Sequence, residues 1–237
     1  MEQPFIREEM LLGSDALQRL KAAHVAVFGI GGVGSYCAEG LARAGLGRLT
    51  LIDNDTVGIS NLNRQIVALH STIGQYKSDV MAARIRDINP ECKVRSLPLL
   101  YTEQTKSQFF PGDYDYLVDA IDLVSCKLSL IATAKALNIP IVSAMGTGNK
   151  LHPEQFRITD ISQSQGCPLA RIMRKELRSR GIEHHMALWS AEPPATPIAL
   201  ETPPPGRRSI PSSVSWVPSC AGLMLAGFVV QALLEHV

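Results

Sequence analysis

The chain has 237 residues, 46% of them hydrophobic, a net charge of +1 and five cysteines. That apolar content supports a sizeable core, and the near-neutral charge leaves nucleic-acid contact to a local basic patch rather than to a global field. Cys37, Cys92, Cys126, Cys167 and Cys220 are far apart and form no C-x-x-C pair, which excludes a disulfide framework or zinc ribbon and fits a reducing cytoplasm.

The charged start, MEQPFIREEM, does not read as a signal peptide. Helix is expected around Glu8 to Leu20 with a break near Gly13, leading into a short apolar strand from Val25 to Phe28. Gly29, Gly31 and Gly34 then spell G-x-G-x-x-G, with Gly32 as an extra small residue. In a strand-turn-helix unit the first glycine permits the tight turn and the second lets backbone approach a phosphate. The third lets helix pack closely on strand. The helix that follows, Ser35 to Ala44, turns its N-terminal amides toward an anion. A second strand, Leu49 to Ile52, ends at Asp53 and Asp55; Asp53 lies 19 residues past Gly34, where a carboxylate can take ribose hydroxyls.

Downstream, a polar loop gives way near Gly74 to a helix that carries Val80, Ala83 and Ile88 inward and stops at Pro90. A strand from Val94 to Leu97, a short helix from Glu103 to Phe109, a strand from Tyr116 to Ile121, a helix from Ser125 to Leu137 and a strand from Pro140 to Ala144 follow. This alternation predicts an α/β fold: a Rossmann-like, doubly wound, mostly parallel sheet. The rhythm changes past Gly146. Gln155 to Ile161 alternates as an antiparallel strand, Pro168 to Arg180 reads as a helix, and the proline-rich residues 191–212 read as a mobile loop. Val214 to Val217 reads as a last strand. Cys220 to Leu234 is apolar nearly all round but, at 15 residues, short of the roughly 18 needed to span a bilayer, and reads as a buried helix. The expected organisation is one domain: a nucleotide-binding core over 1–150 and a substrate-side antiparallel extension over 151–237.

The loop after Asp53 narrows the nucleotide. Asn61, Arg64, Gln65 and Lys77 follow directly, and two cations with amides suit a triphosphate better than the dinucleotide of a dehydrogenase. Arg64 can fork onto phosphate oxygens and Lys77 can act as a point charge, both stabilising charge on a pentavalent phosphorus. Asp122, at the end of a strand, is placed to hold Mg²⁺ on the phosphates or to cap the next helix; Asp119 reads equally well as structural. Arg171, Arg174, Lys175 and Arg178 recur at i, i+3, i+4 and i+7, one helix face that can follow an RNA backbone or simply be solvated, while Leu169, Met173 and Leu177 face inward. His184 and His185 read as loop residues.

GIGGVG, LIDND, SNLNRQ, G-x-x-K and DAID, in this order, resemble the ubiquitin-activating superfamily in its bacterial ThiF/MoeB-type branch. The C-terminal segments QGCPLARIMRKELRSRGI, ALWSAE and SSVSWVPSCAGLMLAGFVV look like its tRNA threonylcarbamoyladenosine dehydratase subgroup. The resemblance implies an enzyme that uses ATP and Mg²⁺ to adenylate a carboxylate on the modified adenosine of tRNA, after which the carbamoyl nitrogen of the same side chain closes a ring. It implies a phosphate turn of Gly29, Gly31, Gly32 and Gly34, a ribose carboxylate at Asp53, phosphate contacts at Asn61, Arg64 and Lys77, and a metal at Asp122. It also implies a homodimer in which Arg7 crosses into the neighbouring site. Many relatives carry two C-x-x-C pairs for zinc; here there are none, so no structural zinc is expected. The rival readings are adenylation of a ubiquitin-like sulfur carrier's C-terminal glycine, with a sulfur-transfer partner, a nicotinamide-dependent dehydrogenase, and a nucleotide-sensing module without catalysis. No membrane partner is expected.

Overall fold

The computed structural model describes residues 3–110, 112–198, 200 and 211–235. Residues 199 and 201–210, within the stretch expected to be a mobile loop, lie outside the described residues. The strands are β1 (His24–Phe28), β2 (Arg48–Ile52), β3 (Lys93–Leu97), β4 (Tyr116–Asp119), β5 (Ile141–Ala144), β6 (Phe156–Asp160) and β7 (Met186–Ser190). They form one sheet in the order β3-β2-β1-β4-β5-β7-β6, parallel throughout except for the β6–β7 pair. This is the expected α/β, doubly wound architecture with an antiparallel end.

Strand β1 shows why both faces must be covered. Every residue from His24 to Phe28 is buried. Val25 and Val27 point into one core and Ala26 and Phe28 into the other, because successive side chains in a strand face opposite ways. On the first face lie α3 (Gly34–Arg43), α4 (Lys77–Ile88) and α7 (Trp216–Glu235), contributing Cys37, Leu41, Met81, Ile85, Ala221 and Leu225. On the second lie α5 (Val124–Ala136) and α6 (Pro168–Arg178), contributing Leu130, Ile131, Met173 and Leu177. Two short helices, α1 (Ile6–Leu12) and α2 (Ser14–Ala22), precede β1 and meet at Gly13.

Several expectations are corrected. The segment from Glu103 to Phe109 forms only a single 3₁₀ turn, Lys106–Gln108, held by hydroxyl hydrogen bonds between Thr102 and Thr105 that compete with helix. In α4 the fully buried apolar residues are Met81, Ala82 and Ile85; Val80 and Ile88 pack against the core from its margin as expected, whereas Ala83 is exposed. No strand forms at 214–217. Pro218 sits in the first turn of α7, where its missing N–H costs nothing, so helix starts at Trp216. The helix therefore runs 20 residues rather than the 15 expected, long and apolar enough by length and composition to cross a membrane. In the fold its inner side packs on α3, where Gly40 opposes Ala226 and Gly222 opposes Val33 and Tyr36. Strand β7 was not anticipated. It adds to β5 in parallel and to β6 antiparallel, so the C-terminal extension continues the same sheet.

Candidate active site

The strand order reverses between β1, whose chain continues to β2, and β4, whose chain continues to β5. Ligands in such sheets bind at the C-terminal ends of the strands at this switch point. The glycine turn and the DAID segment meet there. Gly29 has φ +88°, a left-handed value, and a Cβ on it would lie 2.6 Å from the Ala120 carbonyl oxygen. A Cβ on Gly34 would lie 1.7 Å from the Gly29 carbonyl oxygen, an impossible overlap, so only glycine lets α3 start this close to the turn. Around Gly31 the nearest atom is Gln65 Nε2 at 3.9 Å, leaving the backbone open to a ligand. Gly32 is packed against Pro218, at 3.1 Å from where its Cβ would stand.

Asp53 joins the turn to the end of β2. One carboxylate oxygen accepts from Ile30 N at 2.6 Å, the other from Asp55 N at 2.8 Å. Burial raises its carboxyl above the usual range, opposed by these two amides and by the Lys77 charge. Lys77 begins α4, is buried, and donates to Asp55 at 2.8 Å. Asp53, Asp55 and Lys77 thus form one charged group between the end of β2 and the start of α4.

The SNLNRQ loop closes one side. Asn61 accepts from Gly58 N at 3.0 Å and fixes its own 3₁₀ turn. Arg64 donates from one nitrogen to Ser60 O at 2.7 Å and to Asn63 Oδ1 at 2.9 Å; burial draws its guanidinium below the ordinary value. Gln65 is buried beside Gly31, and its Oε1 has no hydrogen-bond partner, so an acceptor at the turn stands ready for a donor. Asn63, not singled out from the sequence, also donates to Ser213 O at 3.0 Å, joining this loop to the segment before α7.

Asp122 is exposed, three residues beyond the end of β4. Helix α5 starts at Val124, with Leu123 at its cap position making no side-chain cap bond. Beneath it lies a polar cluster that the sequence did not reveal. Asp119 and Lys127, both with side chains fully shielded from solvent, pair at 2.9 Å. Ser143 donates to Asp119 at 2.6 Å, and His185 Nε2 meets Ser143 Oγ at 2.8 Å. The one sequence signal for this cluster is Lys127, a cation within the apolar run at the start of α5. His185 is buried, whereas His184 is exposed and leans on Asp160 at 3.3 Å.

Other candidates are spread out. Arg7 lies on the exposed side of α1, a helix without a buried residue. Arg171, Lys175 and Arg178 are exposed on α6, but Arg174 is partly buried and donates to Ser164 O at 2.6 Å and to its hydroxyl at 2.7 Å, so it is occupied in fixing a loop. All five cysteines are free. Burial raises the thiols of Cys37, Cys92 and Cys126, that of Cys92 to about 11, away from a reactive thiolate.

A glycine turn, an acid at the end of β2 and a cation-bearing loop meet at one switch point, the place where doubly wound sheets bind their ligands. The ThiF family model matches residues 6–236, and the chain belongs to that family. It is 43% identical to the tRNA threonylcarbamoyladenosine dehydratase of Bacillus subtilis over 100% of this chain and 97% of that protein. The crystal structure of the E. coli tRNA N6-threonylcarbamoyladenosine dehydratase in complex with ATP superimposes with a TM-score of 0.88 at 36% identity, covering 98% of this chain and 94% of that one. The adenylyltransferase and sulfurtransferase of Kluyveromyces lactis is 38% identical over 63% of this chain but only 33% of its own length.

Proposed function

We infer that this chain is an ATP-using enzyme that dehydrates threonylcarbamoyladenosine in tRNA to a cyclic form. The full-length identity to the B. subtilis dehydratase carries this reading. The similarity to the K. lactis adenylyltransferase, by contrast, is confined to 63% of the chain. A carboxylate oxygen of the modified nucleoside attacks the α-phosphorus of ATP and pyrophosphate departs. The carbamoyl nitrogen then attacks the activated acyl carbon, loses its proton to solvent and expels AMP. Nucleophile and electrophile share one side chain, so proximity supplies the effective concentration and no enzyme thiol is required.

The protein's part is positioning and charge. The Gly31 backbone and Gln65 face the phosphates, Asp53 takes the ribose, and Asn61 shapes the loop that presents Arg64. Lys77, balanced by Asp55, offsets charge that builds on phosphorus. The exposed Asp122 carboxylate would be the protein's hard oxygen donor to Mg²⁺. Mg²⁺ bound there would neutralise phosphate charge. A homodimer would bring Arg7 of one copy to the site of the other, and α1, which exposes Met10 and Leu11, offers apolar surface for such a contact. The face of Arg171, Lys175 and Arg178 would receive the tRNA backbone. A cytoplasmic enzyme with free cysteines suits this substrate.

The test is to incubate the protein with ATP, Mg²⁺ and modified tRNA, digest, and weigh the nucleosides. Loss of one water from the modified adenosine, reduced about 100-fold or more in rate by Arg64→Ala, supports the reading. An unchanged mass refutes it.

A further inference from the structure

A buried ion pair is costly to desolvate, so Asp119 and Lys127, both without solvent exposure, call for a structural return that hydrophobic packing would not give. The contacts show where it goes. Asp119 Oδ1 accepts from Ile121 N at 3.2 Å, and Lys127 Nζ donates to Ile121 O at 3.1 Å. That carbonyl belongs to the peptide plane joining Ile121 to Asp122, and a peptide plane is rigid. Gripping Ile121 at its N–H and again at its carbonyl therefore fixes where the Asp122 Cα emerges.

The grip is braced from outside the DAID segment. Ser143, on β5, donates to Asp119 Oδ2 at 2.6 Å, the same oxygen that Lys127 pairs with. Because the serine proton is committed to Asp119, the Ser143 oxygen is left to accept, and His185 Nε2 at 2.8 Å must be the protonated ring nitrogen. His185 Nδ1 is buried without a partner, in keeping with a neutral ring. His185 immediately precedes β7, so the chain of contacts runs from the C-terminal extension through β5 and β4 to the loop that bears Asp122.

We propose that Lys127, Asp119 and Ser143 form a positioning clamp that sets the backbone of Asp122, with His185 linking the clamp to the substrate-side extension. These are positioning residues: none of them reaches the crevice, and each acts through Asp122. The proposal rests on the reading of Asp122 as the metal carboxylate, and its test separates the two.

The full chain is prepared as Asp122→Asn, as the charge-balanced pair Asp119→Asn with Lys127→Met, as Lys127→Arg and as Ser143→Ala. ATP affinity is measured by calorimetry with and without Mg²⁺, in the absence of tRNA. The readout is the factor by which Mg²⁺ tightens ATP binding, which a general loss of packing would leave alone. Asp122→Asn and the charge-balanced pair are expected to cut this factor about tenfold or more, as loss of an outer-shell partner does at metal sites. Ser143→Ala is expected to reduce it less, and Lys127→Arg to retain most of it. Affinity without Mg²⁺ should be unchanged in the charge-balanced pair, in Lys127→Arg and in Ser143→Ala, none of which alters a group placed at the nucleotide. A reduced factor in Asp122→Asn with an undiminished one in the folded pair overturns the clamp alone. An undiminished factor in Asp122→Asn overturns the metal assignment on which the clamp depends. Should the pair fail to fold, Ser143→Ala decides, and an undiminished factor there overturns the clamp.

Discussion

Lowering the pH across the histidine range tests the buried His185. Burial, reinforced by the charges of Lys135 and Lys127 and opposed by Asp160, pushes its ring from the ordinary 6.5 down to about 3. Between those values the unfolded chain binds a proton that the folded chain refuses. Stability from this group is therefore complete above about pH 6.5 and falls as the pH drops toward 3. From pH 8 to pH 5 the loss from this one group amounts to about 2 kcal/mol. For a protein of this size that corresponds to a fall in Tm of about 4–8 °C. The assay is thermal unfolding at both pH values for the natural chain and for His185→Gln, which keeps an N–H donor toward Ser143 but cannot titrate. The carboxylates contribute equally to both proteins, so the difference between the two pH dependences isolates the histidine. An equal drop in Tm for both proteins would refute the reasoning.

Two further predictions concern the turn and the basic face. Gly34→Ala forces a Cβ to within 1.7 Å of the Gly29 carbonyl oxygen, so α3 must move off the turn. ATP affinity should fall at least about tenfold, with about 1–3 kcal/mol of stability lost to overpacking, measured by calorimetry and denaturant unfolding; an alanine variant that binds ATP normally would contradict the role of this close approach. Arg171→Glu with Lys175→Glu should weaken tRNA binding and lower its salt slope by about 2, leaving ATP affinity intact. Arg174→Ala should instead act on stability, because its guanidinium bonds to Ser164; the two effects are separated by measuring tRNA affinity and Tm for both proteins.

Much of the nucleotide side was legible because its signals are local. Glycine spacing dictates a strand-turn-helix unit wherever it occurs. The period of apolar residues marked β1, β2, β4 and β5 within one residue of their ends, apart from an overrun of two at the end of β4. Local signals failed where tertiary contact decides. Met186–Ser190 is a strand because β5 and β6 supply hydrogen-bond partners on both of its edges. Trp216 and Val217 are helical because α7 docks on α3, although their sequence has the β-branched and aromatic character of a strand.

The sequence by itself determined a doubly wound α/β chain with a glycine turn at Gly29 to Gly34, an acid at Asp53 and cations at Arg64 and Lys77. Those assignments depend on residue type and short spacing, which no distant contact alters. Only the tertiary structure decided that Asp119, Lys127, Ser143 and His185 converge, since they come from β4, α5, β5 and the entry to β7. It likewise bonded Arg174 to the loop at Ser164. Such contacts depend on which strands become neighbours and on what solvent is excluded, neither of which is written in spacing along the chain.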